Sequence, residues 1–476
     1  MSPAPVMPAP RRGWCPGLAR PMPTGDGLLV RLHPVAGRLT AVQARAAARA
    51  AREGGNGLLD VTARGNLQIR GVTAQSHARV AAVLAGSGLG DVRHDGGPQR
   101  LTLNGPLAGT ECRAVVAAVE AIGREVMGLP AKTLVAVEDE AGALGPVEAD
   151  LWVRITGAFP SPLWAGVRGG GGAGGTAQLD AAPPPPIAPP PCGEGKRAPL
   201  DRGPCGAVAV DAAAQDGESA LPALQLAVAT PDGPLWLAPL PAGATFAILR
   251  VLLTRLAISG ARRMRALAND QRATLLADLT TGEGPPGSVA VPAGLHGRTL
   301  LADFPFGRCD AALLDRLAGW SESHGDGHLG LTPNRGVALV GRDDATAEAL
   351  RDEAEAAGLI VDPADPRRAV AACPGAPACA SGGTPAQADA PRLAAAFAHL
   401  ARLGATAHVS GCPKGCAHPG PATLTLVGRA DGRYGVVPQC HAGTETGLVL
   451  TFGAVLERLE STRVPHDVRD AFREPA

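Results

Sequence analysis

The chain has 476 residues, enough for about three domains with buried cores. Lys plus Arg equals Asp plus Glu at 44 each, so no net field draws the protein to nucleic acid or an anionic membrane. Aromatic residues are only 3%, while Gly (63) and Pro (45) are abundant; with so much Ala and Arg this reads as coding bias, so a lone glycine carries little argument.

Residues 1–20 are Pro-rich and Arg-bearing, with no apolar core of signal-peptide length, and read as an unstructured lead-in. A cytoplasmic protein with reduced cysteines follows from that reading. From Gly27 to Leu32 the residues alternate as a strand, and Thr40 to Glu53 is an Ala-rich helix. Leu58 to Thr62 is a second strand, Arg64-Gly65-Asn66 a turn, and Leu67 to Arg70 the returning strand. Period two places Arg64, Asn66, Gln68 and Arg70 on one sheet face and Leu67 and Ile69 toward the core. Such a row is either a solvated face or, with two guanidiniums and amides between them, a clamp for carboxylates. Further on, Arg100 to Leu103 is a strand ending at Asn104-Gly105-Pro106, and Leu129-Pro130-Ala131-Lys132 precedes the apolar Thr133 to Val137.

The Gly-rich 169–175 and Pro-rich 183–191 stretches mark 169–204 as a connecting insertion that cannot bury a core. The longest apolar run, Thr245 to Ile258, carries Arg250 and Arg255 and reads as a buried amphipathic helix rather than a membrane span. The earlier pattern then recurs about 270 residues on: strand Arg298–Asp303, helix Asp310–Ser321, strand His328–Thr332, turn and strand Val337–Gly341. A large unit has been duplicated, and a cleft between duplicated halves suits a large ligand.

Cys373 and Cys379 are five residues apart, then come 32 residues, then Cys412 and Cys416 three apart. Four thiolates suit an iron–sulfur cubane, which takes one per iron. Structural zinc is the rival, although its half-sites usually space two to four residues, and buried thiols are the third reading. His408 and His418 flank the second pair, each read as a hydrogen-bonded structural histidine in preference to an iron ligand.

Taken in order, the segments 62–71, 104–109 and 129–132 and the two cysteine pairs resemble the sulfite and nitrite reductase haemoprotein family. The resemblance implies an α+β fold of duplicated halves, each a ferredoxin-like half-domain plus a larger α+β domain. The corresponding spans are 21–75, 90–275, 290–342 and a cluster domain at 345–472. It also implies a [4Fe–4S] cluster on Cys373, Cys379, Cys412 and Cys416. Arg64, Asn66, Gln68, Arg70, Asn104 and Lys132 would bind a tetrapyrrole. The closer likeness is to the branch acting in aerobic cobalamin synthesis. There Gly13 to Gly17 match the opening, and Leu134 stands where sulfite reductases carry a second lysine after Lys132. That branch implies O2-dependent hydroxylation and lactone closure on precorrin-3A, with electrons from an external, NADH-linked donor and with mononuclear iron or sirohaem as a further centre. The alternatives are a sirohaem-dependent sulfite or nitrite reductase and a zinc-stabilised tetrapyrrole-binding scaffold. Oligomeric state is left open, a monomer being compatible.

Overall fold

The computed structural model describes residues 15–139, 144–156, 221–277, 279–285 and 287–473. The 169–204 insertion and most of the 1–20 lead-in lie outside the described residues. Four five-stranded sheets organise the rest, and they fall into two pairs of like topology.

Two of the sheets are the ferredoxin-like halves. In the first, helix Ala41–Gly54 starts where Thr40 and Gln43 form a reciprocal capping box. Its Ala44, Ala47, Ala48 and Ala51 are fully buried, a stripe at helical spacing small enough to let the sheet approach closely. Helix Ala74–Gly86, capped by Thr73, covers the same core with Val80 and Leu84. In the second half, Asp310 caps Ala311–His324 and Asp343 caps Asp344–Ala356, at positions 270 residues later. The helices after 75 and 342 thus belong to the halves.

The halves exchange strands. Arg38–Thr40 pairs with His328–Leu331 of the second sheet, and Arg308–Asp310 pairs with Leu58–Val61 of the first. The same device turns the chain into each exchanged strand: Ala36 and Phe306 sit at φ 51° and 55°, each followed by a glycine at φ 71° and 74°. One core therefore runs through both halves, from Leu39 and Leu59 to Leu317, Leu329 and Val337.

The larger domains repeat one another as well. In the first, strands Thr102–Asn104, Val135–Glu138 and Leu151–Ile155 are parallel, followed antiparallel by Leu224–Thr230 and Gly233–Trp236. In the second, the same order and directions hold for Val370–Ala372, Ala407–Ser410, Ala422–Gly428, Tyr434–Cys440 and Val449–Leu450. The long apolar run is helix Ala242–Ile258, burying Leu249, Leu252, Leu253 and Leu256, while Arg250 pairs with Glu125 at the surface. Among the described residues no helix is long and apolar enough to cross a membrane.

Candidate functional site

The face of the first sheet away from the helices is charged. Cross-strand pairing aligns Arg31 with Gln68, Gln68 with Asp60, and Asp60 with Arg308. Leu67 and Ile69 point into the core, as their alternation predicts. The two ends of this face differ in how their charges are met.

At one end, Arg70 is 2% exposed and fully neutralised. Its Nε and Nη2 each lie 2.9 Å from the Asp26 carboxylate, and its Nη1 is 3.2 Å from Asp60. Asp60 also accepts from Arg308 Nε at 2.7 Å. Arg70 Nη2 donates to Ala378 O at 2.6 Å, which docks the first cysteine loop on the sheet. Arg70 is therefore a structural brace here, not an open half of a carboxylate clamp.

At the other end the cations have no ion-pair partner. With its amide oriented to satisfy the network, Gln68 Oε1 accepts from Arg31 Nε at 2.9 Å and Nη2 at 2.5 Å. Arg64 reaches Lys132 O at 3.4 Å. Arg100 donates to Gly65 O at 3.0 Å and to Arg64 O, holding the turn from beneath. Among the described residues none of Arg31, Arg64, Arg100 and Lys132 forms an ion pair. Burial lowers the pKa of Arg31 and Arg64, with Arg64 repelling Arg31 and Arg263 repelling Arg64. Burial and Arg64 bring Arg100 down to about 10. His33 is pushed to about 3 by burial and then by Arg31 and Arg100. Cys15 joins the same cleft, its Sγ 3.4 Å from Ala131 O. Asn66 Oδ1 is buried there with no hydrogen-bond partner. Partly desolvated cations with an unmet acceptor beside them form a receptor for an anionic ligand that also carries N–H or O–H groups.

The other predicted residues are placed as follows. Lys132 is exposed at the cleft, whereas Leu134 is buried with Leu103, Ala136 and Ala149 and offers it nothing. Asn104 lies apart: it ends a strand of the first large domain and faces the second ferredoxin-like sheet across a cavity. That cavity, of about 300 Å³, is lined by Asn104, Arg38, Arg113, His328, Gly330 and Ala338. Sequence reasoning missed Arg31, His33 and Cys15 and undervalued Arg100. For Arg31 a signal existed: it alternates with the buried Val30 and Leu32 on its own strand.

The four cysteines converge at the parallel edge of the last sheet. Cys373 ends strand Val370–Ala372 and accepts a hydrogen bond from Gly411 N at 3.0 Å. The two loops meet through glycines: a Cβ on Gly411 would stand 2.9 Å from Gly375 Cα and 3.3 Å from Gly382 Cα. The Cys412 and Cys416 thiols are raised mainly by burial, and each feels both Cys373 and Cys379. Among the described residues no three His, Cys, Asp or Glu side chains close on a single-ion site. A cubane asks for a wider set, one thiolate per iron, with amide N–H groups on the sulfurs. The donor set and the amide from Gly411 fit that group. Arg335, from the second half, donates to Ala417 O beside Cys416.

The two flanking histidines differ. His418 Nε2 is 3.1 Å from Pro421 O and so is satisfied, as expected. His408 is fully buried and neither ring nitrogen has a partner, contrary to the sequence reading. Burial, with His418 and Arg335 nearby, lowers its pKa to about 4.

Duplicated ferredoxin-like halves bearing a cationic cleft, with four thiols gathered in the last domain, define the fold class of the nitrite and sulfite reductases. The signature of the nitrite/sulfite reductase ferredoxin-like half-domain matches twice, at residues 20–86 and 296–357. The structure of the Mycobacterium tuberculosis NirA protein superposes with a TM-score of 0.62, covering 91% of this chain and 79% of that one at 18% identity, which shows the shared fold. A precorrin-3B synthase from a Sinorhizobium species is 31% identical over 451 residues, 90% of this chain and 83% of the relative. The chain belongs to the precorrin-3B synthase family, oxidoreductase-type enzymes of tetrapyrrole and cobalamin synthesis.

Proposed function

We propose that this chain is a monooxygenase that converts precorrin-3A to precorrin-3B. One atom of O2 enters at C20, the ring A acetate closes a lactone, and the other atom leaves as water with two electrons and two protons from an external donor. The observation that carries the reading is the set of cations without ion pairs at Arg31, Arg64, Arg100 and Lys132, on the sheet whose opposite end, through Arg70, docks the first cysteine loop.

The substrate is a polycarboxylate, and a desolvated guanidinium binds a carboxylate bidentately. Arg64 would hold one such group and Arg31, oriented by Gln68, a second. Asn66 Oδ1 would accept a ring N–H of the macrocycle, meeting an acceptor the protein leaves open. Leu134 brings no second cation beside Lys132, so the pocket is poorly built for a small oxyanion. Cys373, Cys379, Cys412 and Cys416 would hold a [4Fe–4S] cluster, which supplies electrons one at a time when bound.

The test is anaerobic incubation with precorrin-3A followed by labelled O2. A product heavier by one labelled oxygen atom is expected. Strong isobacteriochlorin absorption in the purified protein, with sulfite or nitrite turnover and no such product, would overturn the reading in favour of a sirohaem reductase.

A further inference from the structure

His408 sits in the second strand of the last sheet, between Ala371 and Thr425. Its neighbours in sequence, Ala407 and Val409, point into the apolar core, so its ring projects to the opposite face. The duplicated fold supplies a comparison. In the first large domain the corresponding position on the equivalent strand, between Leu103 and Trp152, is Ala136, packed among apolar residues. The fold therefore has no need of an imidazole at this place.

The ring is also expensive to keep there. Each buried polar atom left without a partner costs on the order of 1–3 kcal/mol. His408 is 0% exposed and carries two such atoms. What its ring edge meets is the second cysteine loop: Cε1 is 3.8 Å from the position a Cβ on Gly415 would take. Cε1 lies between the two ring nitrogens, so the edge turned to the loop is the edge that can hydrogen-bond. His418 stands on another side, ring centroids 5.8 Å apart and planes at 71°, and its Nε2 is already engaged. Arg335 comes within electrostatic range of both His408 and Cys373. The groups facing the ring are thus a satisfied imidazole, a guanidinium and the Cys412–Cys416 loop.

We propose that His408 donates a ring N–H to the sulfur face of the centre held by Cys373, Cys379, Cys412 and Cys416, and so raises its reduction potential. This rests on the four-cysteine reading given above. The reduced centre carries the extra negative charge, so a donor aimed at its sulfurs stabilises that state more than the oxidised one. His408 is a positioning and tuning residue, not a ligand.

The experiment uses the full chain purified anaerobically, as wild type, His408→Leu and His408→Gln, with iron, sulfide and the midpoint potential measured for each by EPR-monitored titration. Loss of the donor in His408→Leu should shift the equilibrium with a one-electron partner about tenfold toward the oxidised centre, ~59 mV downward. Iron and sulfide content should hold, and His408→Gln, which keeps an N–H, should recover most of the shift. A loaded His408→Leu protein with an unmoved potential would overturn the proposal. Should the leucine variant fail to fold or load, wild type with 15N-labelled histidine decides. Weak coupling to an imidazole nitrogen and an exchangeable proton in the reduced centre supports donation; no coupling, or the strong coupling of a direct ligand, overturns it. Wild-type protein lacking iron and sulfide would instead overturn the four-cysteine reading itself.

Discussion

Replacing Arg64 with Met separates a ligand-binding cation from a structural one by the sign of its effect on stability. In the free protein the Arg64 guanidinium makes one long hydrogen bond, 3.4 Å to Lys132 O, and has no ion pair. Burial depresses its pKa, and it in turn lowers those of Arg31 and Arg100, so three like charges oppose one another in a partly desolvated cleft. Removing one such charge relieves on the order of 1 kcal/mol at an intermediate dielectric. Met keeps the apolar stem, and the main-chain carbonyl that Arg100 uses is untouched. The melting midpoint should therefore rise by roughly 2 °C. A hydrogen bond to a charged group contributes about 1.5–3 kcal/mol, so the Kd for precorrin-3A should weaken roughly ten- to a hundred-fold. Calorimetric melting and fluorescence titration of anaerobic protein measure the two quantities. A midpoint several degrees lower with substrate affinity unchanged would refute the reasoning, because that is how a structural arginine behaves.

Arg70→Ala should act in the opposite sense. It leaves Asp26 and Asp60 facing each other without Arg70 and takes the donor from Ala378 O, so stability should fall by about 3–5 kcal/mol and bound iron should fall with it, read by melting and metal analysis. His33 titrates at about 3 in the folded protein, below the unfolded value of roughly 6.5. Its contribution is therefore fully present above pH 6.5 and is lost as pH falls toward 3, at up to about 1.4 kcal/mol per pH unit. Urea denaturation at pH 7.5, 6 and 5 should show that slope, and His33→Asn should flatten it. Cys412→Ser should abolish bound iron and acid-labile sulfide, whereas Cys309→Ser, whose thiol is buried in the core and held protonated by that burial, should leave both intact.

Much of the architecture is legible in the sequence, because local periodicity and caps decide strands and helices one at a time. The repeat of strand, helix, strand, turn and strand at 270 residues is the duplicated half as folded. Thr40 and Asp310 start their helices where a polar residue precedes an apolar stripe. What local pattern missed was exchange: strands Arg38–Thr40 and Arg308–Asp310 are three residues each and pair in the opposite half, a choice made by the shared core.

The candidate site divides along the same line. For strand Leu67–Val72 the sequence by itself determined which side chains share a face, because a strand alternates with period two whatever surrounds it, while Arg64 and Asn66 lie in the turn before it. It also determined that Cys373, Cys379, Cys412 and Cys416 come as two loop-borne pairs. Only the tertiary structure decided which of those groups are free to act. Arg64 and Arg70 look alike in the sequence row, yet Asp26 and Asp60 neutralise one while the other, in the turn, meets further cations. His408 and His418 look alike around the loop, yet one ring is bonded and the other is buried with both nitrogens open. The physical reason is common to both pairs: a charged or polar group's availability is set by its partner, and whether one is in reach depends on how the folded chain passes it, as with Asp26 for Arg70, the Pro421 carbonyl for His418 and none for His408.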